Sequence, residues 1–146
     1  MRLVPIKINR WEIYTVCNEH GESKILTFLR KLNPQYSGSR NRLLNIIEMA
    51  SEESTGPTQF HDNISHYVDK ENKIWEFIAG RLRLLWFYSP VKNQVIICSH
   101  VFLKKSQNTP KSEIKRAVKL KKSYFQAATK NQIEIIQDCE GRHGQE

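Results

Sequence analysis

Apolar positions along this chain follow two different rhythms. Between Ile25 and Ala50 they recur at helical spacing, first as Ile25, Phe28, Leu29 and Leu32, then as Leu43, Ile46, Ile47 and Ala50. Each set falls at i, i+3, i+4 and i+7, one face of an amphipathic helix. The first helix is expected to stop at Asn33-Pro34, and Ser37-Gly38-Ser39 marks a short connection, so the pair reads as a helical hairpin that Ser54-Thr55-Gly56-Pro57 closes. From Lys73 the pattern turns to dense apolar runs, Ile74–Ala79, Leu82–Tyr88 and Val95–Leu103, broken by Gly80 and by Ser89-Pro90-Val91-Lys92-Asn93. These predict an antiparallel three-strand meander whose last strand, apolar on much of both faces, is central.

The flanking segments complete the pattern. Arg10–Cys17 is rich in aromatic and β-branched residues and predicts an N-terminal strand, with Asn18-Glu19-His20-Gly21 as turn chemistry. Phe60–Asn72 is polar and irregular and reads as a mobile loop. Thr109 as N-cap and Pro110 at the first helical position open a third helix. Its apolar stripe is Ile114, Ala117, Val118, Phe125 and Ala128, flanked by Leu120 and Tyr124, with Lys111, Lys115, Lys119 and Lys122 opposite. Lys121 falls inside the stripe, where its stem can cover apolar surface while the amine reaches water. Residues 130–146 read as a flexible tail. The expected order is therefore an N-terminal strand, a two-helix hairpin, an antiparallel three-strand meander and a C-terminal helix. That is one α+β domain over residues 1–146, with its helices on a single antiparallel sheet.

Composition narrows the class. A chain of 146 residues with 39% hydrophobic and 26% charged residues can bury a core and is not a disordered polyelectrolyte. No apolar run reaches the roughly 18–20 residues that span a bilayer, and charge and proline interrupt Met-Arg-Leu-Val-Pro-Ile-Lys-Ile-Asn-Arg, which is no signal peptide. A cytoplasmic protein without a membrane partner is expected. Cys17, Cys98 and Cys139 are odd in number, far apart and without a CxxC pair, so neither a disulfide framework nor a zinc ribbon is indicated.

Charge changes the picture more. The formal net charge is +8, and almost all of it lies between Lys104 and Lys122, where eight basic residues stand against the single acid Glu113. Clustered Lys and Arg release condensed counterions from phosphates, so the window fits a polyanion partner as well as a solvated helix face. No glycine-rich nucleotide cradle, HExxH pair or glycine-elbow serine is present, and the five histidines are scattered. Cys98 and His100, two apart on one strand, would share a face and could offer two metal ligands, with His61 or His66 as recruits. No spacing supports that, and neither a metal nor a cofactor is expected. Alternation puts Arg83 in phase with Leu85 and Phe87, where it must snorkel or line a groove. Lys104-Lys105 follow the central strand directly, so two neighbouring strand ends deliver cations to one locality suited to a phosphate.

The residues that carry these cations resemble a known family. Ile74-Trp75-Glu76-Phe77, Arg81–Tyr88, and Phe102-Leu103-Lys104-Lys105-Ser106-Gln107-Asn108-Thr109-Pro110 followed by Glu113-Ile114 and Ala117 resemble the HigB-like, phage-derived branch of the RelE/ParE toxin superfamily. The resemblance spans Lys73–Phe125 in its motifs and residues 10–55 in architecture. It implies the toxin of a type II toxin–antitoxin pair, a metal-independent endoribonuclease cutting messenger RNA on the ribosome. The 2′-hydroxyl would attack the adjacent phosphate to leave a 2′,3′-cyclic phosphate and a free 5′-hydroxyl. It implies a groove on the concave face of the sheet, with Arg83 gripping the scissile phosphate and Lys104 and Lys105 as electrostatic stabilisers. Arg81 is a candidate contact to the substrate backbone, with His100, Lys111 and Lys115 also candidate substrate-binding residues.

The general acid/base is unassigned by the resemblance, because Lys111 stands where some superfamily members have a tyrosine. His100 is conceivable in that role if it faces the groove rather than sharing the face of Phe102. A small helix-turn-helix antitoxin is the implied partner, covering the cationic groove or docking near the first two helices. Two other readings stay open at this stage: a non-nuclease toxin acting on DNA gyrase, as in the ParE branch, and a non-catalytic basic nucleic-acid-binding protein.

Overall fold

The computed structural model describes residues 1–105 and 108–136. Its strands are β1 (Arg2–Ile8), β2 (Glu12–Val16), β3 (Ser65–Asp69), β4 (Ile74–Ala79), β5 (Leu82–Tyr88), β6 (Val95–Leu103) and β7 (Glu134–Ile135). Its α-helices are α1 (Lys24–Arg30), α2 (Ser37–Glu52) and α3 (Lys111–Thr129), with 3₁₀ turns at Pro34–Tyr36 and Gly56–Gln59. The strands form one sheet in the order β3-β4-β5-β6-β2-β1-β7.

The α+β class stands, but the expected topology does not. The sheet is mixed: β2 runs parallel to β6, from Glu12 opposite Val95 to Thr15 opposite Cys98, and β7 runs parallel to β1. Apolar on most of both faces and paired on one edge with β5, β6 would otherwise leave its second edge unpaired, and β2 satisfies those backbone groups. In place of a lone N-terminal strand there is an antiparallel hairpin of β1 and β2, with Pro5 at a register shift where its missing N–H costs no ladder bond. The antiparallel part has four strands rather than three, because Ser65–Asp69, inside the segment expected to be a loop, forms the edge strand β3 on β4. Tyr67 of β3 lies on Trp75 with ring centroids 3.9 Å apart.

The helices cover both faces of the sheet rather than one. Ile25 and Leu29 of α1, with Leu43, Ile46, Ile47 and Ala50 of α2, pack on Phe77, Leu84, Trp86, Ile96 and Cys98. These are the apolar positions that the helical spacing predicts, although α2 starts earlier and takes Ser37-Gly38-Ser39 into its first turn. On the opposite face Ala117 and Tyr124 of α3 meet Ile74, Leu85, Phe87, Val95 and Ile97. Gly80, at φ +59°, opens the two-residue turn between β4 and β5, and a Cβ there would run into the Ser39 hydroxyl of α2. A left-handed residue without a side chain is what the turn and this close approach both require.

Four details of the C-terminal region also differ from expectation. The helix begins at Lys111 with no side-chain cap, because the Thr109 hydroxyl is engaged elsewhere, by Glu76. Its buried stripe is rotated: Tyr124 is buried and hydrogen-bonded to Ser89 (2.8 Å), whereas Phe125 is 47% exposed. The Lys121 amine donates to the carbonyl of Asn72 (2.7 Å) and lies 5.9 Å from the Phe87 ring, so it is tied to the β3–β4 turn as well as covering apolar surface. The segment expected to be a flexible tail is docked as far as Ile136: β7 pairs with β1, and the Met1 ammonium donates to the carbonyl of Gln132 (2.8 Å). The remainder of that segment, residues 137–146, lies outside the described residues. No helix among the described residues is long and apolar enough to cross a membrane.

Candidate active site

The β4–β5 turn and the β5/β6 pairing bring most of the candidate cations to one end of the sheet. Leu82 stands opposite Leu103, so the next residues outward, Arg81 and Lys104, meet where the two strands end. They are clasped reciprocally. The Lys104 amide donates to the Arg81 carbonyl (2.7 Å), and Arg81 returns two bonds to the Lys104 carbonyl, from Nε (3.2 Å) and Nη2 (3.0 Å). Lys104 is half-buried and Lys105 exposed. Lys111 and Lys115 are exposed on the first turns of α3.

Arg83, one position inward and opposite Phe102, is placed differently from its expected role. Its alternation with Leu85 and Phe87 holds, which turns it toward the α3 side of the sheet and leaves only 8% of the residue exposed. Nη1 donates to the carbonyls of Gly80 (2.7 Å) and Leu82 (2.9 Å), and Nε lies 3.9 Å from the Glu76 carboxylate. Burial pushes the Arg83 pKa down while Glu76 opposes that shift. A guanidinium with these partners braces the turn from inside.

His100 is buried as well. A register shift at Leu85/Trp86 leaves Ser99 as an extra residue in β6, and this separates Cys98 from His100. Cys98 belongs to the core under α1 and α2, whereas His100 faces α3, so the shared face that a two-ligand metal site needs does not exist. The His100 ring lies 5.9 Å from that of Phe102 and is 2% exposed. This is the face on which the acid/base idea fails. His100 Nε2 donates to Glu113 (3.1 Å) and Nδ1 accepts from Ser99 (2.8 Å), making it a strut between β6 and α3.

Burial, with Arg116 adding to it against the opposing pull of Glu113, lowers the His100 pKa from 6.5. The unfolded chain therefore binds a proton at a pH where the folded one does not, and stability falls as pH drops below about 6.5. In urea titrations from pH 7.5 to 5, His100→Gln is expected to flatten this decline. An unchanged slope would show that His100 does not carry it.

Glu76 and Thr109, which sequence reasoning did not single out as chemistry, join His66, considered there only as a recruit to a metal site, in one polar cluster. Glu76, in phase with Ile74 and Ile78 on β4, is 2% exposed and has both carboxylate oxygens occupied. Oε1 accepts the Thr109 hydroxyl (2.6 Å), and Oε2 accepts His66 Nε2 (2.8 Å) and faces Arg83. The available signal was an acid in an otherwise apolar run, one hairpin turn from an arginine of matching phase. Thr109 thereby ties the segment after Lys104-Lys105 back to the sheet. Cavities open along the flanks of α3, two of them lined by its basic residues. One, of about 490 Å³, is lined by Cys17, Lys24, Ser99, Arg116, Lys119 and Ser123 among others, and the second, of about 380 Å³, by Lys73, Lys121, Lys122 and Phe125 among others. Neither is lined by Arg83, Lys104 or Lys105.

Residues 27–122, from within α1 to the middle of α3, match the model of the phage-derived Gp49-like protein family (DUF891). The chain belongs to that family. The matched span contains Glu76, Arg81, Arg83, His100, Lys104, Lys105, Lys111 and Lys115, and leaves out β1, β2 and β7. The Gp49-like family lies in the RelE/ParE-like toxin superfamily. No curated protein matches the chain.

Proposed function

We propose that this Gp49-like protein is a HigB-like toxin, an endoribonuclease that cleaves messenger RNA on the ribosome without a metal and is neutralised by a helix-turn-helix antitoxin. The observation that carries this reading is the Arg81–Lys104 clasp. It fixes two cationic residues at one sheet end, next to Lys105 in the chain. Preorganised cations aimed at a phosphate stabilise the charge that builds on its oxygens as the 2′-hydroxyl attacks. In this reading Lys104 and Lys105 meet the scissile phosphate and Lys111 and Lys115 hold flanking backbone. Arg83 acts from behind the surface by bracing the turn that presents Arg81. The antitoxin would mask the same cations, and its capture with the protein from cells carrying both genes is the corresponding check.

Induction in cells is expected to arrest growth, and purified protein with ribosomes and messenger RNA is expected to yield 2′,3′-cyclic phosphate ends in the presence of EDTA. Intact RNA together with inhibited gyrase supercoiling would replace this reading by a ParE-like one. Sequence-indifferent, strongly salt-dependent binding without toxicity would replace it by a plain nucleic-acid-binding role.

A further inference from the structure

An acidic side chain at the centre of an apolar strand is costly unless it is put to use. Glu76 sits among Ile74 and Leu85, where a leucine of similar volume would serve stability at least as well. What it does is hold a histidine. His66, its direct partner across β3 and β4, places Nε2 2.8 Å from Oε2, while the His66 side chain stays 42% exposed. A carboxylate can only accept, so the proton is fixed on Nε2 and the lone pair on Nδ1. No partner holds Nδ1 among the described residues. The second oxygen is locked by Thr109, and Arg83 stands behind the pair. The carboxylate itself is buried, and the imidazole carries its influence to the surface.

We infer that His66, oriented by Glu76, is the proton acceptor for the 2′-hydroxyl in RNA cleavage, an assignment that rests on the endoribonuclease reading above. Nδ1 takes the 2′ proton as the 2′-oxygen bonds to phosphorus. The bond from phosphorus to the 5′-oxygen breaks, and that oxygen leaves with a proton from water. The imidazolium, stabilised meanwhile by Glu76, returns its proton to solvent, so protons balance and neither oxidant nor metal is consumed. His66 is then a catalytic residue, Glu76 a positioning residue, and Thr109 holds Glu76 in turn.

The test uses the full-length chain, ribosomes and a messenger RNA. His66→Ala is expected to lower single-turnover cleavage by about 10²–10⁴-fold. Its melting temperature should stay at the wild-type value, and added imidazole should restore at least a tenth of the lost rate. Glu76→Gln should lose rate as well without responding to imidazole, since His66 is still present but misdirected. A His66→Ala rate within about threefold of wild type, or a loss that imidazole does not relieve, overturns the assignment while leaving the nuclease reading standing. A wild-type protein that cuts no RNA overturns both.

Discussion

Arg83→Ala is expected to unfold well before the wild type in a denaturant titration. The guanidinium occupies two backbone carbonyls of the β4–β5 turn and faces a carboxylate that is itself buried. Deleting it strands those acceptors and leaves Glu76 with His66 and Thr109 alone, a loss of about 3 kcal/mol. For a domain of this length that corresponds to a fall of about 10 °C in melting temperature. Replacing both charges, as Arg83→Met with Glu76→Gln, should recover much of the deficit, because an uncompensated buried charge costs more than an absent pair. The sequence view of Arg83 as a phosphate grip predicts the opposite, a variant that folds normally and has lost its activity. Equal melting curves for Arg83→Ala and wild type would vindicate that view over the bracing role.

The double substitution Lys104→Ala with Lys105→Ala is expected to act on chemistry and spare stability. Both side chains reach solvent, and the hydrogen bonds that join Lys104 to Arg81 run through its amide and carbonyl, which alanine keeps. Stability should therefore stay within about 0.5 kcal/mol of wild type. Cleavage should fall by about 10²–10³-fold, the scale of a lost electrostatic stabiliser, with a shallower dependence on salt because fewer counterions are released on binding. Cleavage at the wild-type rate would show that these lysines do not meet the scissile phosphate.

Much of this fold was legible because burial imposes a period. The helical sets at Ile25–Leu32 and Leu43–Ala50 and the runs at Ile74–Ala79, Leu82–Tyr88 and Val95–Leu103 each mark an element with a strongly apolar face. What escaped were edge pieces. β3 has solvent on one side and polar residues to match, β1 carries a proline and charges, and β7 is two residues long. None of these has an apolar pattern of its own: β1 and β3 lean on the strands that follow them, β2 and β4, and β7 on the distant β1.

The site divides along the same line. Cations at strand ends follow from alternation and are visible in the sequence. The Glu76–His66 pair depends on β3 being a strand, and once Phe60–Asn72 reads as loop His66 has no address. His100 was misplaced by one inserted residue, Ser99, because alternation carries no warning of a bulge. Tyr124 and Phe125 exchange places for a related reason, as a small rotation of α3 swaps which neighbour faces inward.

The parallel pairing of β2 with β6 has a consequence for biosynthesis. Thr15 donates to the carbonyl of Cys98 across 83 residues, so the first hairpin waits for most of the polypeptide before it has a neighbour. On a translating ribosome the two halves of the sheet cannot join until β6 has left the exit tunnel, and Lys104 and Lys105 emerge directly behind it. Long-range pairing of this kind is slow to form and leaves an open strand edge in the meantime. The growing protein is thus unable to assemble its cationic rim until nearly all of it has been made.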